Sequence, residues 1–565
     1  MVTLIPAVKD LKLENGFLQN RAISFDSSNY SARLCKALEK LPVSNKGAQL
    51  SMDIASGEGE GYTLDITADS IHITAECEAA AFYAIQTLRQ IFKEEKIPCL
   101  SIKDRPDFKY RGFYQDISRG KIATVETLKK LIDMMAYYKM NALQLYVEHI
   151  YEFEGCEELH KETSFITGAE LRELDAYCRD NFIDFQPSLA TFGHMFDLLD
   201  LKQYRHLRVL KDYENDICRW ADRHKHHTID PSQEESFEVV SSLIDQFAPN
   251  FTSDYFNICC DETFDLKTSY PKELEVKLYI DFVKKITSYL KAKGKKIMMW
   301  ADVLLEYPEF ITELPEDTIF LNWMYRANPE EDKVAIFGSL GRKQIVCSGT
   351  SSWWRFCESV DCEESNIIML AEHGYKHGAI GMLTTNWGDW GNLASIDNAL
   401  YGLVLGAAKS RDITTKVTDE FRADVNALLY HCKNGLSYMR AIGEVHNKIN
   451  WCNIANAAYK HRNGVDYSGP ITAETISEVQ EAYKALAPQI ANEDWDYGDF
   501  KAEMLLALEG VCVVSELGGK LAGIPVERLT NTEDFLSRYG AKWKEKNKEG
   551  ELWRIEEVLR YADSI

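Results

Sequence analysis

The sequence predicts an α/β protein built around a (β/α)8, or TIM, barrel, with a small α+β domain before the barrel and a helical domain after it. Three observations carry that prediction. Residues 106–410 hold eight strand-like runs, most of them followed by helix-like sequence, as eight βα units require. Residues 1–105 hold two alternating strands and then an apolar helix. Through residues 411–565 the strand-like runs stop. A chain of 565 residues is long enough for roughly three or four such units.

In the first domain, GYTLDIT (Gly61–Thr67) and SIHITAE (Ser70–Glu76) alternate apolar and polar residues, as half-buried strands do, with Ala68-Asp69 as the turn. AAAFYAIQTLRQIF (Ala79–Phe92) has helical period and strong helix formers, so a helix covers the sheet. Arg105-Pro106 punctuates the chain, since proline disfavours helix before it. The barrel strands are expected at Tyr110–Ile117, Ala142–Glu148, Ile183–Leu189, Tyr255–Cys260, Lys296–Trp300, Thr318–Trp323, Gln344–Ser348 and Ala379–Thr385. Helices are expected at Val125–Tyr138, Gly168–Cys178, Glu235–Phe247, Lys277–Ala292 and Ile396–Ala408. A doubly wound open sheet is the rival topology, but no Gly-rich loop follows the first strand. In the third domain Val417–His446, Ala473–Leu486, Asp499–Leu517 and Glu533–Tyr561 read as helices.

Lysine plus arginine number 64 against 88 acids, a net charge of −24. So acidic a surface repels phosphate backbones and anionic lipid, which argues against nucleic-acid and membrane partners. No apolar run approaches the ~18 residues of a membrane span. The opening MVTLIPAVKDLKLENG has no basic start and no long apolar stretch, so it does not read as a secretory signal. Fourteen scattered cysteines, Cys259 and Cys260 among them, read as reduced thiols, and a cytoplasmic location is expected.

Barrel chemistry sits at the C-terminal strand ends. The fourth strand runs into Asp261-Glu262, two acids that are costly there unless solvated, paired or functional. Strand one holds Arg111 and Asp116, and strand two ends at Glu148-His149. Strand three leads to His194 in TFGH, strand five ends at Trp300 before Asp302, and strand six at Trp323 before Tyr325. Strand seven runs into Trp353-Trp354, and strand eight into Trp387 and Asp389. Tryptophan at four successive strand ends, interleaved with carboxylates, fits a sugar pocket: pyranose faces stack on rings while carboxylates bond hydroxyls. Two carboxylates suggest glycoside hydrolysis. Side chains adjacent in sequence are badly placed to flank one bond, which hints that the second acid does not attack the sugar.

These residues resemble glycoside hydrolase family 20, the exo-acting β-N-acetylhexosaminidases, over the first ~410 positions. TFGHM, HTIDPSQEESFEVV, NICCDETFD, MMWADVL and NWGD fall in the family's order, after YRGFYQDISRGKIATVETLKKLIDMMAYYKMNALQLYVEH. The resemblance implies retaining, substrate-assisted removal of terminal β-linked GlcNAc or GalNAc through an oxazolinium-like intermediate. It implies Glu262 as general acid/base and Asp261 as the residue that holds the 2-acetamido group. Arg111 would bind O3 and O4, Asp389 O4 or O6, and Trp300, Trp323 and Trp387 would enclose the N-acetyl group. His194 would support the acid pair, Tyr325 would donate to the acetamido oxygen, and Glu148 joins the substrate-binding set. The sequence departs from the family in Cys259-Cys260 before the acid pair, in Glu148-His149 for paired aspartates, and in Asp389 for a glutamate. Strand seven also has Trp353-Trp354-Arg355 where the family has Tyr-x-Asp.

HKHH (His224, His226, His227) reads as a polar loop rather than a metal site, and Cys357, Cys362 and His373 lack a zinc spacing. No metal and no organic cofactor are expected. The partners expected are an oligosaccharide or glycoside substrate and a second copy of the chain. Two other readings remain open on sequence: a non-catalytic sugar-binding barrel, and a glycosidase for another sugar.

Overall fold

The structure, a computed structural model, describes residues 2–216, 218–466, 469–495 and 498–565. The first domain is a six-stranded sheet of β1 (Asp10–Phe17), β2 (Ile23–Ser24), β3 (Ala48–Ile54), β4 (Tyr62–Ile66), β5 (Ser70–Ala75) and β6 (Pro98–Asp104). Their order across the sheet is β1-β6-β4-β5-β3-β2. The expected pair is β4 and β5, joined antiparallel. The covering helix, Glu78–Ile91, buries eleven of its fourteen residues. A helix is apolar on most sides when it is packed on most sides. This one meets its own sheet and also the barrel, where Phe82 lies 4.8 Å from Phe182.

Eight parallel strands then close a barrel: β7 (Tyr110–Asp116), β8 (Ala142–Val147), β9 (Asp184–Leu189), β10 (Tyr255–Asn257), β11 (Lys296–Trp300), β12 (Ile319–Trp323), β13 (Lys343–Gly349) and β14 (Gly381–Asn386). Closure runs through the pairs β9–β10 and β14–β7. All eight expected strands are present. Helix starts follow local chemistry: Thr124 Oγ1 caps helix Val125–Tyr137, and Thr167 with Glu170 forms a capping box on Gly168–Asp180. Amides bridge strands inside the barrel: Asn257 Nδ2 donates to Gln144 Oε1 at 2.9 Å, and Gln144 Nε2 to Gln186 Oε1 at 2.9 Å.

The third domain consists of helices Asp419–Val425, Gly435–His446, Trp451–Arg462, Ala473–Asn492, Gly498–Leu521, Thr532–Lys546 and Leu552–Ser564. Two long helical readings are corrected. The run Val417–His446 breaks at a wide turn, Asn426–Tyr430, followed by His431 at φ 52°. The run Glu533–Tyr561 breaks at 547–551, where the backbone bonds to the barrel instead of continuing its own ladder. None of the described helices is long and apolar enough to cross a membrane.

Arg111 joins the first domain to the barrel floor. Its guanidinium is wholly buried against Glu60 (2.6 Å) and donates to the carbonyls of Lys139 and Phe108, both at 3.0 Å. Cutting such a buried pair costs about 3–5 kcal/mol. Arg111→Ala is therefore expected to lower the urea midpoint of the whole chain substantially, measured by tryptophan fluorescence.

Candidate active site

The site begins where β10 ends. The sequence pattern reads as strand through Cys260, but the regular strand ends at Asn257, with Ile258 N and Cys259 O still bonded to β11. Cys259, Cys260 and Glu262 then take left-handed backbone, at φ 57°, 65° and 50°. Each such residue costs roughly 1–2 kcal/mol and persists only where neighbours over-determine it. Here they do. Asn257 Oδ1 accepts from Cys259 N at 3.0 Å, Tyr279 OH donates to Cys260 O at 2.9 Å, and Asp302 Oδ2 accepts from Glu262 N at 2.9 Å. Thr191 Oγ1 donates to Ile258 O at 2.6 Å. The twisted backbone turns the adjacent acids toward one imidazole. His194 Nε2 lies 3.4 Å from Asp261 Oδ2 and 3.3 Å from Glu262 Oε2. Gly193 permits this approach, because a Cβ there would stand 2.3 Å from Asp261 O.

The acid pair opens into a cleft of about 210 Å³. One wall is aromatic. Trp323 stacks on Tyr325 (5.0 Å), Tyr325 meets Trp353 (5.3 Å), and Trp387 Nε1 donates to Tyr325 OH at 2.7 Å. Trp300 packs 5.8 Å from Trp387 at the cleft floor, and Trp354, 37% exposed, forms the rim. The opposite pole is ionic. Arg119 reaches Asp389 at 3.0 Å, Glu148 at 3.2 Å and Asp116 at 3.6 Å, and its Nη2 lies 3.4 Å from His194 Nδ1.

Burial and charge set the protonation states. Burial works against charging His194, but Asp261 and Glu262 outweigh it and raise the imidazole to about 10. Burial likewise pushes Glu262 up, but its contact with His194 holds it below its ordinary value. Burial lifts Asp389 to about 6 despite Arg119, and burial with the charge of Asp261 lifts Asp302 to about 7. Burial pushes Glu148 up, but Arg119, His149 and His194 together outweigh it and leave it at about 2. Asp261 Oδ1 is buried with no hydrogen-bond partner among the described residues, an unsatisfied acceptor beside the cleft.

Of the residues expected from sequence, Asp261, Glu262, His194, Trp300, Trp323, Tyr325, Trp387 and Asp389 all line this cleft. Arg111 does not, and its assignment to sugar hydroxyls is corrected. It sits at the N-terminal end of β7, five residues before Asp116, which is about 16 Å at strand rise. Strand alternation also decides it. Tyr114 packs inside the barrel on Trp300 and Trp387, so the odd-numbered Arg111 faces outward. The arginine at the mouth is Arg119, in the loop just past β7, where the strand-end rule itself points. Glu148 is corrected too: it stands behind Arg119 and His194 rather than on the cleft wall.

The HKHH loop is not idle. His224 lines the cleft, and His227 stacks on His194 (4.4 Å, 17°) while its Nδ1 accepts from His194 N at 2.8 Å. Glu148, His149 and Asp197 converge as metal ligands could. Guanidinium groups already fill that place, with Arg219 and Arg223 each 2.6 Å from Asp197 and Arg119 on Glu148.

The profile of the glycosyl hydrolase family 20 catalytic domain matches residues 108–373, and that of the family's domain 2 matches residues 3–105. The chain belongs to glycoside hydrolase family 20. A beta-hexosaminidase of Porphyromonas gingivalis is 26% identical over 293 residues, covering 43% of this chain and 36% of that protein. The chain thus matches little more than a third of that relative's length. Among solved structures, the Flavobacterium johnsoniae chitobiase superposes with TM-score 0.63 at 16% identity, covering 98% of this chain and 99% of the other. A Vibrio harveyi family 20 exo-β-N-acetylglucosaminidase in complex with N-acetylglucosamine gives 0.59 at 18% identity, covering 74% and 75%. At these identities the solved structures establish a shared fold.

In this family 20 cleft, His194 is an imidazolium at neutral pH. Folding raises its proton affinity, so the interaction stabilises the fold fully below about pH 6.5, the ordinary histidine value. It is lost as pH climbs through about 10. Imidazole NMR of histidine-labelled protein is expected to show His194 charged at pH 8. In Asp261→Asn its titration moves down toward the ordinary range.

Proposed function

We propose that this chain is an exo-β-N-acetylhexosaminidase that works by substrate-assisted catalysis with retention at C1. The observation that carries the reading is the adjacent pair Asp261 and Glu262, splayed on His194 beside a tryptophan-walled cleft. Two carboxylates from neighbouring positions cannot stand on opposite faces of a glycosidic bond, as the ordinary two-carboxylate mechanism requires. They can act on two groups of one sugar. The carboxylate of Asp261, which lines the cleft, accepts the acetamido N–H. Tyr325 OH takes a proton contact from Trp387 Nε1, which leaves its own hydroxyl proton for the acetamido oxygen. Held at both ends, that oxygen attacks C1 as the bond to the leaving oxygen breaks and Glu262 gives its proton to the leaving group. Asp261 then balances the positive charge on the oxazolinium-like ring. Water then attacks C1 as the bond from C1 to the amide oxygen breaks and the acetamido group re-forms, and the water gives its proton to Glu262, which restores the acid.

Glu262 must be protonated for the first step, although His194 keeps it ionised in the open cleft. A bound sugar expels water from around the carboxylate, and lost solvation raises its proton affinity. Arg119 and Asp389 bind the O3, O4 and O6 edge. Asp389 is one methylene shorter than the usual glutamate and leaves room for either C4 configuration, so both GlcNAc and GalNAc are substrates. Support comes from the Vibrio harveyi relative, which shares this fold and binds N-acetylglucosamine. The fourteen cysteines, each a free thiol, support a reducing, cytoplasmic setting.

Hydrolysis of aryl β-GlcNAc, followed by phenolate release, is the test. Glu262→Gln is expected to lose at least about 10²–10⁴-fold in kcat. Asp261→Asn is expected to lower kcat and to weaken binding of a thiazoline mimic of the intermediate. The matching aryl β-glucoside, which lacks the amide, stays intact. Near-normal turnover by Glu262→Gln, or equal rates on the two sugars, would contradict the reading.

A further inference from the structure

The C-terminal helical domain has no assigned role, yet it grips both loops that carry the ionic pole of the cleft. The first grip is on the loop after β7, which bears Arg119. Where the helix Thr532–Lys546 ends, its chain runs beside that loop. Thr124 N donates to Lys546 O at 2.9 Å, Lys548 N to Ile122 O at 2.8 Å, and Glu551 N to Gly120 O at 2.8 Å. Thr127 Oγ1 adds a bond to Lys546 O at 2.7 Å, and Ala123 pairs with Asn547 as an antiparallel bridge. The approach is close enough to require glycine: a Cβ on Gly550 would lie 2.3 Å from Gly120 O.

The second grip is on the loop after β14, which bears Asp389. Trp451 Nε1 donates to Trp390 O at 2.8 Å, and Tyr539 OH to Leu393 O at 2.8 Å. The two loops also meet each other, since a Cβ on Gly120 would lie 3.2 Å from Gly391 Cα.

A buried chain of charges runs from the same domain to the cleft. Glu551, side chain 2% exposed, takes Arg223 in a fork at 2.6 and 2.8 Å. Arg223 holds Asp197 at 2.6 Å, and Asp197 lies 3.4 Å from His149 Nδ1. His149 lies 3.7 Å from Glu148, and Glu148 holds Arg119 at 3.2 Å. Planar forks fix direction as well as distance. Four groups, Arg223, Asp197, His149 and Glu148, thus stand in series between Glu551 and Arg119. Among the described residues none of the C-terminal domain lines the cleft, so its influence acts through Arg119 and Asp389.

We propose that the C-terminal helical domain sets the specificity of the cleft for the O4 edge of the sugar, with Glu551 as a positioning residue that fixes Arg119 through Arg223, Asp197, His149 and Glu148. The proposal rests on Arg119 and Asp389 binding sugar hydroxyls, as the proposed function has them. A displaced guanidinium weakens contacts to O4 and leaves the acetamido end, where Asp261 and Glu262 act, as it was.

The test uses the full chain and two substrates, aryl β-GlcNAc and its 4-deoxy analogue. Wild type should prefer the 4-hydroxyl sugar. Glu551→Gln keeps the shape but removes the charge. It is expected to raise KM for aryl β-GlcNAc about tenfold, the size of one lost charged contact, with little change in kcat. For the 4-deoxy analogue the change should be within about twofold, because the two losses remove the same interaction and do not add. Tyr539→Phe deletes one hydroxyl from the second grip and should show the same pattern at smaller size, which keeps the test alive if Glu551→Gln folds poorly. Equal losses on both substrates, or no loss on either, would overturn the proposal. A wild type that hydrolyses aryl β-GlcNAc but is indifferent to the 4-hydroxyl would overturn the assignment of Arg119 and this proposal with it. A wild type inactive on aryl β-GlcNAc would overturn the proposed function itself.

Discussion

Two neighbouring carboxylates at a barrel mouth repel each other and lose water on one side, and one buried imidazolium holds them. His194 sits within 3.4 Å of both Asp261 and Glu262. Much else in the site serves that contact. Three left-handed residues around the acids point two sequence neighbours at one ring instead of to opposite sides of a strand. Gly193 lets the histidine loop touch the acid loop, and His227 fixes the ring by stacking under it and accepting the backbone N–H of His194. Asp302 holds the backbone of Glu262 from behind. The strain is local, and it is balanced by hydrogen bonds to the same backbone.

The rest of the cleft divides its labour by chemistry. Tryptophan and tyrosine rings give one face a shape that suits the flat side of a pyranose. Arg119 gathers Asp389, Glu148 and Asp116 at the other pole, a cation among acids in a chain that carries a large excess of negative charge. A lysine in that place could not make several planar contacts at once.

The eight barrel strands were legible because buried parallel strands are short apolar runs that end at turn residues, and most of the site followed from asking what stands at each strand end. The failures have physical causes. The family resemblance placed the hydroxyl-binding arginine at Arg111 on the first strand, but strand alternation puts that residue outside, and its charge is paired with Glu60 at the floor. Arg119 lies three residues past the end of β7, at the end that matters. The end of β10 misled because Ile258, Cys259 and Cys260 look like strand, while the function needs that strand to break. His224 and His227 gave no signal, since histidines in a polar loop have no period and only the fold brings His227 under His194 and His224 to the cleft. The helical reading through 547–551 failed too. Asn547 and Gly550 are stop signals inside an otherwise helical pattern, and contact with the Arg119 loop fixes the break there.

The measurement closest to the central claim is a rate series on aryl β-glycosides whose 2-acetamido methyl carries no fluorine, then one, two and three. Each fluorine withdraws electrons from the amide oxygen and leaves the rest of the sugar nearly unchanged. If that oxygen attacks C1, log(kcat/KM) falls steeply and steadily along the series. A flat series, with turnover indifferent to the basicity of the amide, would contradict the account.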